Sequence, residues 1–113
     1  MITPLPVPHG NAEVNGYLFS RAGRNLVAYL SDCSAVPEQI ARRISGVECL
    51  IIDALRETPH PTHLTVAQAL EIAQRVQPRE TYFTHIAHEL AQSFETRLPP
   101  RTHIAFDGLK LSF

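Results

Sequence analysis

Cysteine is scarce in this chain, like charges are never clustered, and no apolar stretch is long. Each shortage excludes a class of protein. Two cysteines in 113 residues, Cys33 and Cys49, with no CxxC between them, exclude a disulfide scaffold and suit a reducing cytoplasm. Ten Lys and Arg against eleven Asp and Glu give a formal charge of −1, scattered along the chain, so there is no basic stripe for nucleic acid to follow. No segment approaches the length needed to cross a bilayer. The opening "MITPLPVPHG" has neither a basic start nor an apolar centre, which argues against a secretory leader and for a cytoplasmic protein. No internal repeat or low-complexity segment is present. With 44% hydrophobic and 19% charged residues, the composition is that of one ordinary globular domain spanning residues 1–113.

Histidine is what the chain has in plenty: His9, His60, His63, His85, His88 and His103. The pattern between them reads as α/β. "ITPLPVPH" is extended, and its alternating prolines confine it to a sheet edge. "GNAEVNG" reads as a polar turn, "YLFS" as a short strand, and "RAGRN" as the turn of a hairpin onto "LVAYL". Pro37 is placed at the first position of a helix, "PEQIARRI". "VECLII" reads as a buried strand. In "TVAQALEIAQRV", Val66, Ala69, Leu70, Ala73 and Val76 recur at helical spacing, Thr65 is placed to cap the start, and Pro78 follows the end. "TYFT" is a strand, "HIAHELAQSFETRL" a helix, and "THIAFDGLKLSF" a hairpin turning at Asp107-Gly108. The expected order is three strands, then helix, strand, helix, strand, helix, then a hairpin, with helices covering at least one face of the sheet.

Several of these strands run into a polar group where the chain leaves the sheet: His9, Asp32, Asp53 and His85. Sites on open α/β sheets form in the loops beyond strand ends. Imidazoles with a carboxylate suit zinc, manganese or iron. Taken singly, each residue also has a plain structural reading. Asp32 could tie down the turn before the helix, and His85 could end a strand. His88 could sit in a helical first turn, and His63 could precede the Thr65 cap. Asp53 could pair with Arg56, and His60 and His103 could lie on the surface.

Read together, "HG…GYLF…YLSDCS…P…LIIDALR…HPTHLTVAQALE…YFTHIAHEL…LP…AFDGLKL" resembles the C-terminal half of a metallo-β-lactamase-fold hydrolase. It is most similar to the branch of phosphoribosyl cyclic phosphodiesterases, and more distantly similar to the tRNA 3′-processing endonucleases. The resemblance covers essentially the whole chain. It implies the C-terminal half of an αββα sandwich, a mixed sheet covered by helices on one face. It also implies two divalent metals, zinc or manganese, in the complete site, and a small phosphodiester as substrate. His9 matches a ligand of one metal, Asp32 the carboxylate bridging both, and His85 the last ligand of the second. His63 matches a histidine that assists the phosphate or the leaving group. His88 lies near the site in that pattern, either behind the ligands or at the start of a helix, and Asp53 is a further candidate to stand behind the ligands.

The family's defining HxHxDH is nowhere in the sequence. Without it, His9, Asp32 and His85 give each metal two protein ligands, whereas catalytic zinc ordinarily has three. Weak or no metal binding and no efficient hydrolysis are expected of this chain alone. A bare sheet face is also expected, which a separate N-terminal half or self-association would cover. Two other readings compete: a non-catalytic remnant or interaction module of the same fold, and a hydrolase of that fold acting on a thioester, lactam or RNA. The lack of a basic patch weakens the RNA option.

Overall fold

The computed structural model describes residues 1–30, 33–54, 64–84 and 98–104, with residues 53 and 104 described by their backbone only. Strand β1 (Ile2–His9) pairs antiparallel with β2 (Ala12–Arg21), which pairs antiparallel with β3 (Arg24–Leu30). Helix α1 (Glu38–Arg43) leads to β4 (Cys49–Asp53), and helix α2 (Val66–Val76) leads to β5 (Glu80–Thr84). The short β6 (Thr102–Ile104) comes last. From β3 to β6 every pairing is parallel, and the six strands lie side by side in chain order.

The sequence reading of "GNAEVNG" as a turn is corrected here. The β1–β2 ladder is continuous from Ile2↔Phe19 to His9↔Ala12, so residues 12–16 are strand and the turn shrinks to Gly10-Asn11. Polarity misled because these residues lie toward an edge, where one face of a strand stays wet and pairing decides the conformation. Gly10 has φ +62, the value a two-residue hairpin requires at its first central position. The β2–β3 turn has positive φ at both central residues, Ala22 (52°) and Gly23 (78°). That matches the twist of a tight hairpin, at about 1 kcal/mol for the alanine. The prolines of β1 fall on every second residue. Their missing N–H groups therefore belong to positions that point away from the partner strand.

Side chains alternate between two unequal faces. Leu5, Val7, Leu18, Ala28, Leu30, Leu50, Ile52 and Phe83 project into one core with Ile40 and Ile44 from the first helical segment and Val66, Ala69, Ile72 and Val76 from α2. Burying each large aliphatic or aromatic side chain is worth about 1.5–3 kcal/mol, so this face holds the helices to the sheet. Thr65 caps α2 as expected, in a reciprocal box with Gln68: Gln68 N–H donates to Thr65 Oγ1 (3.1 Å) and Thr65 N–H to Gln68 Oε1 (2.8 Å). The buried stripe of α2 differs from the expected one, since Ile72 is inside while Leu70 and Ala73 are only partly buried. Pro37 sits just before α1 as its cap and not as its first residue (φ −57°, ψ 149°). Cys33, expected in a polar loop, is fully buried, its thiol donating to the Leu30 carbonyl at 3.4 Å.

The other face carries an in-register row across all six strands: Pro4, Tyr17, Tyr29, Ile51, Tyr82 and His103. A second row runs Ile2, Phe19, Val27, Cys49 and Glu80. Neither described helix covers these rows; Tyr17 and Tyr29 are each 40% exposed and Phe19 38%. The segments expected as a third helix (residues 85–98) and as the last hairpin turn and strand lie mostly outside the described residues.

Two predictions follow from this packing. At Gly16, an added Cβ would come within 2.6 Å of Leu30 Cδ2 and 2.7 Å of the Tyr29 carbonyl oxygen. The side chain can turn away but the backbone oxygen cannot, so Gly16→Ala is expected to destabilise by about 1–3 kcal/mol in a denaturant titration. Cys49 is buried beside Glu80, and burial first, then the carboxylate, push its thiol up from 9.0 to about 11. Native protein at pH 8 should therefore resist alkylation at Cys49, read by mass spectrometry. A raised folded pKa favours the fold below the unfolded value, and the advantage is lost from about pH 9 to about pH 11. Stability should fall more steeply over that window in the parent than in Cys49→Ala.

Candidate functional site at the carboxyl edge of the sheet

Two successive reversals return the chain to its starting direction, so β1 runs parallel to β3, β4, β5 and β6. The carboxyl ends of these strands therefore share one edge of the sheet. His9 is the last residue of β1, and β3 ends at Leu30, two residues before Asp32. Asp53 is the last residue of β4, and Thr84, the last of β5, directly precedes His85.

Hydrogen bonds tie these ends together. Ser34 N–H donates to the Pro8 carbonyl (2.8 Å), and Gly10 N–H donates to Ser34 Oγ (3.1 Å), so one residue grips the chain on both sides of His9. The same loop is anchored inward by buried Cys33 and outward by Arg75, which donates from its guanidinium to the Val36 carbonyl at 3.2 Å. At the other end of the edge, Asp53 pairs in register with Thr84, and Ala54 N–H donates to the Thr84 carbonyl at 3.0 Å. The Thr84 hydroxyl is 3.5 Å from the Ile52 carbonyl. The backbone is thus fixed immediately before position 85 and around position 9.

Of the residues singled out in the sequence, His9 is described in full. It is half-buried and continues the inward-facing series of Leu5 and Val7. Asp53 is described by backbone only. Asp32, His60, His63, His85 and His88 lie outside the described residues. Among the described residues no three His, Cys, Asp or Glu side chains gather as a metal site. By donor chemistry, two imidazoles and a carboxylate fit a borderline divalent cation, though shared between two metals they fall short of the three protein ligands a catalytic zinc ordinarily has.

His103, read from sequence as a surface residue, is at the surface but has partners there. Its Nε2 lies 3.1 Å from Glu80 Oε2, and its ring stacks on Tyr82 with centroids 4.9 Å apart. Its side chain is 39% exposed, within the open face of the sheet. Ser34 was the residue that sequence reasoning passed over. It stands two places after Asp32 in "SDCS", where it reads as a spacer.

This geometry has parallels among known proteins. Residues 1–86 match the model of the β-lactamase superfamily domain. A crystal structure of a diphosphatase from the PhnP family is 40% identical, superposes with a TM-score of 0.89, and is matched over 99% of this chain and 43% of that one. Zn2+-bound PqqB from Methylobacterium extorquens is 20% identical with a TM-score of 0.74, over 99% of this chain and 50% of that one, a likeness of fold. An octanoyltransferase of Porphyromonas gingivalis is 28% identical over 112 residues, which is 96% of this chain and 22% of that protein. The chain thus spans half or less of the length of each of these relatives. No described helix is long and apolar enough to cross a membrane. By the extent of the family match and the likeness to the diphosphatase, this chain belongs to the metallo-β-lactamase-fold hydrolases.

Proposed function

We propose that this chain is the C-terminal half of a dinuclear metal-dependent hydrolase that cleaves a cyclic phosphate or related phosphodiester, and that it is inactive alone. The observation that carries the reading is the gathering of the β1, β3, β4 and β5 carboxyl ends at one edge, with Ser34 joining the first two. The 40% identity to a diphosphatase supports phosphorus–oxygen chemistry as the substrate class. In this reading His9, Asp32 and His85 are the residues that would hold the two metals. Zinc or manganese, when bound, supplies Lewis acidity toward the phosphoryl oxygens. His63 donates a proton, either to a non-bridging oxygen or to the leaving alkoxide. Asp53 and His88 orient the ligands from behind, as carboxylates and imidazoles around metal sites commonly do.

Nothing in the sequence matches HxHxDH. The reaction therefore needs a region carrying that motif, which the open face would receive as a second sheet layer. The row of Pro4, Tyr17, Tyr29, Ile51 and Tyr82, three of them aromatic, suits sheet-on-sheet packing. Either a separately encoded N-terminal half or a second copy of this chain would cover it.

Two measurements test this reading. The chain is dialysed against zinc and manganese, then assayed for bound metal and for hydrolysis of bis(p-nitrophenyl) phosphate. It is assayed alone and mixed with the part of the PhnP-family relative that this chain does not match. Alone it should hold little metal and turn over nothing. Mixed, it should gain activity that Asp32→Ala removes. Two tightly held metals with turnover by the chain alone would refute the half-site reading. In light scattering after size exclusion, the isolated chain should self-associate, and Phe19→Lys with Tyr29→Lys should return it to a monomer. A stable parent monomer would count against a covered face.

A further inference from the structure

We infer that the edge of the sheet where its parallel strands begin is a docking surface for single-stranded nucleic acid, held through its phosphates. Scattered along the sequence, the arginines form no stripe; the fold collects them. β2 ends at Arg21 and β3 begins at Arg24, with the Ala22-Gly23 turn between them. Arg43 closes α1, Arg79 stands just before β5, and Arg101 just before β6. Because β3 to β6 are parallel and β2 runs against them, these positions share one edge. It lies opposite the edge that carries His9 and Asp53. The inference is therefore independent of any metal.

Hydrogen bonds fix the backbone at these positions. Asn25 Nδ2 donates to the Arg43 carbonyl (3.4 Å), Arg79 N–H to the Val47 carbonyl (3.1 Å), and Thr81 N–H to the Arg101 carbonyl (2.9 Å). All five arginines are exposed. The acidic residues described at this edge are Glu48 and Glu80, and each is engaged: Glu48 with Arg24, Glu80 with His103. Among the described residues no ion pair neutralises Arg43, Arg79 or Arg101.

The shape of this charge selects its partner. Neighbouring strands are about 4.8 Å apart, so from β2 to β6 the arginines span about 19 Å, in a line rather than a disc. A line of positive charge matches a single row of phosphates. A duplex presents two rows, and a bilayer presents a plane. Guanidinium forks suit phosphate oxygens, which they can grip two at a time. Contacts of this kind hold a strand without reading its bases.

The test measures binding of a short fluorescein-labelled oligouridylate to the full chain by anisotropy, across a salt series. Affinity should fall with salt, by a slope of roughly 0.7 for each phosphate engaged. Arg43→Gln, Arg79→Gln and Arg101→Gln together should weaken binding at about 50 mM salt by about tenfold or more, and lower the slope by about 2. Arg79→Gln alone should lower it by about 0.7, which keeps the test open should the triple variant fail to fold. Arg42→Gln, at a guanidinium paired with Glu38 on α1 (2.9 Å), should leave binding unchanged. No binding at about 50 mM salt, or equal losses from Arg42→Gln and Arg79→Gln, would overturn the proposal. Tighter binding to duplex RNA, to anionic lipid vesicles or to polyglutamate than to the oligouridylate would overturn the single strand as occupant.

Discussion

The direction of the whole chain is set by two tight reversals, one at Gly10-Asn11 and one at Ala22-Gly23. An even number of reversals makes β1 parallel to every strand after β3. One reversal fewer, or a crossover of the opposite kind, would put His9 at the edge away from Asp53 and Thr84. Both turns depend on backbone angles that most residues avoid, and the second accepts an alanine at positive φ to obtain them. The close approach of Gly16 to Leu30 then locks the register of the middle strand, and with it the level at which the later loops leave the sheet. The candidate site is thus a consequence of hairpin geometry first and of side-chain chemistry second.

Much of the fold was legible in the sequence because its signals were local. The Thr65 cap, the stop at Pro78 and the edge position forced by the prolines of β1 are each decided within a few residues, and each appears as expected. What was missed depended on partners remote in the chain. The strand character of residues 12–16 comes from pairing with β1. The burial of Cys33 comes from the loop being drawn inward, and the rotation of the α2 stripe toward Ile72 comes from which face meets the sheet. Polarity and periodicity measure preference, and tertiary contacts outvote them.

For the candidate site, the sequence supplied residue types and order, and the fold supplies the shared edge. His9 and the backbone around Asp53 and Thr84 stand where strand-end reasoning put them. His103 shows the limit of reading histidines one by one, since its acidic partner, Glu80, is twenty-three residues away and its stacking partner is on the neighbouring strand. Ser34 shows the complementary limit. A hydroxyl amino acid in a loop carries no signal until the strand it grips is known.

The prolines of β1 have one more consequence. A sheet border with free amide donors can recruit an added strand from another molecule, and proteins commonly blunt such borders. Pro4, Pro6 and Pro8 strip donors from the outward side of β1, so lateral growth of the sheet is blocked there by covalent structure. Whatever joins this protein on that flank must stack upon it and cannot lengthen it.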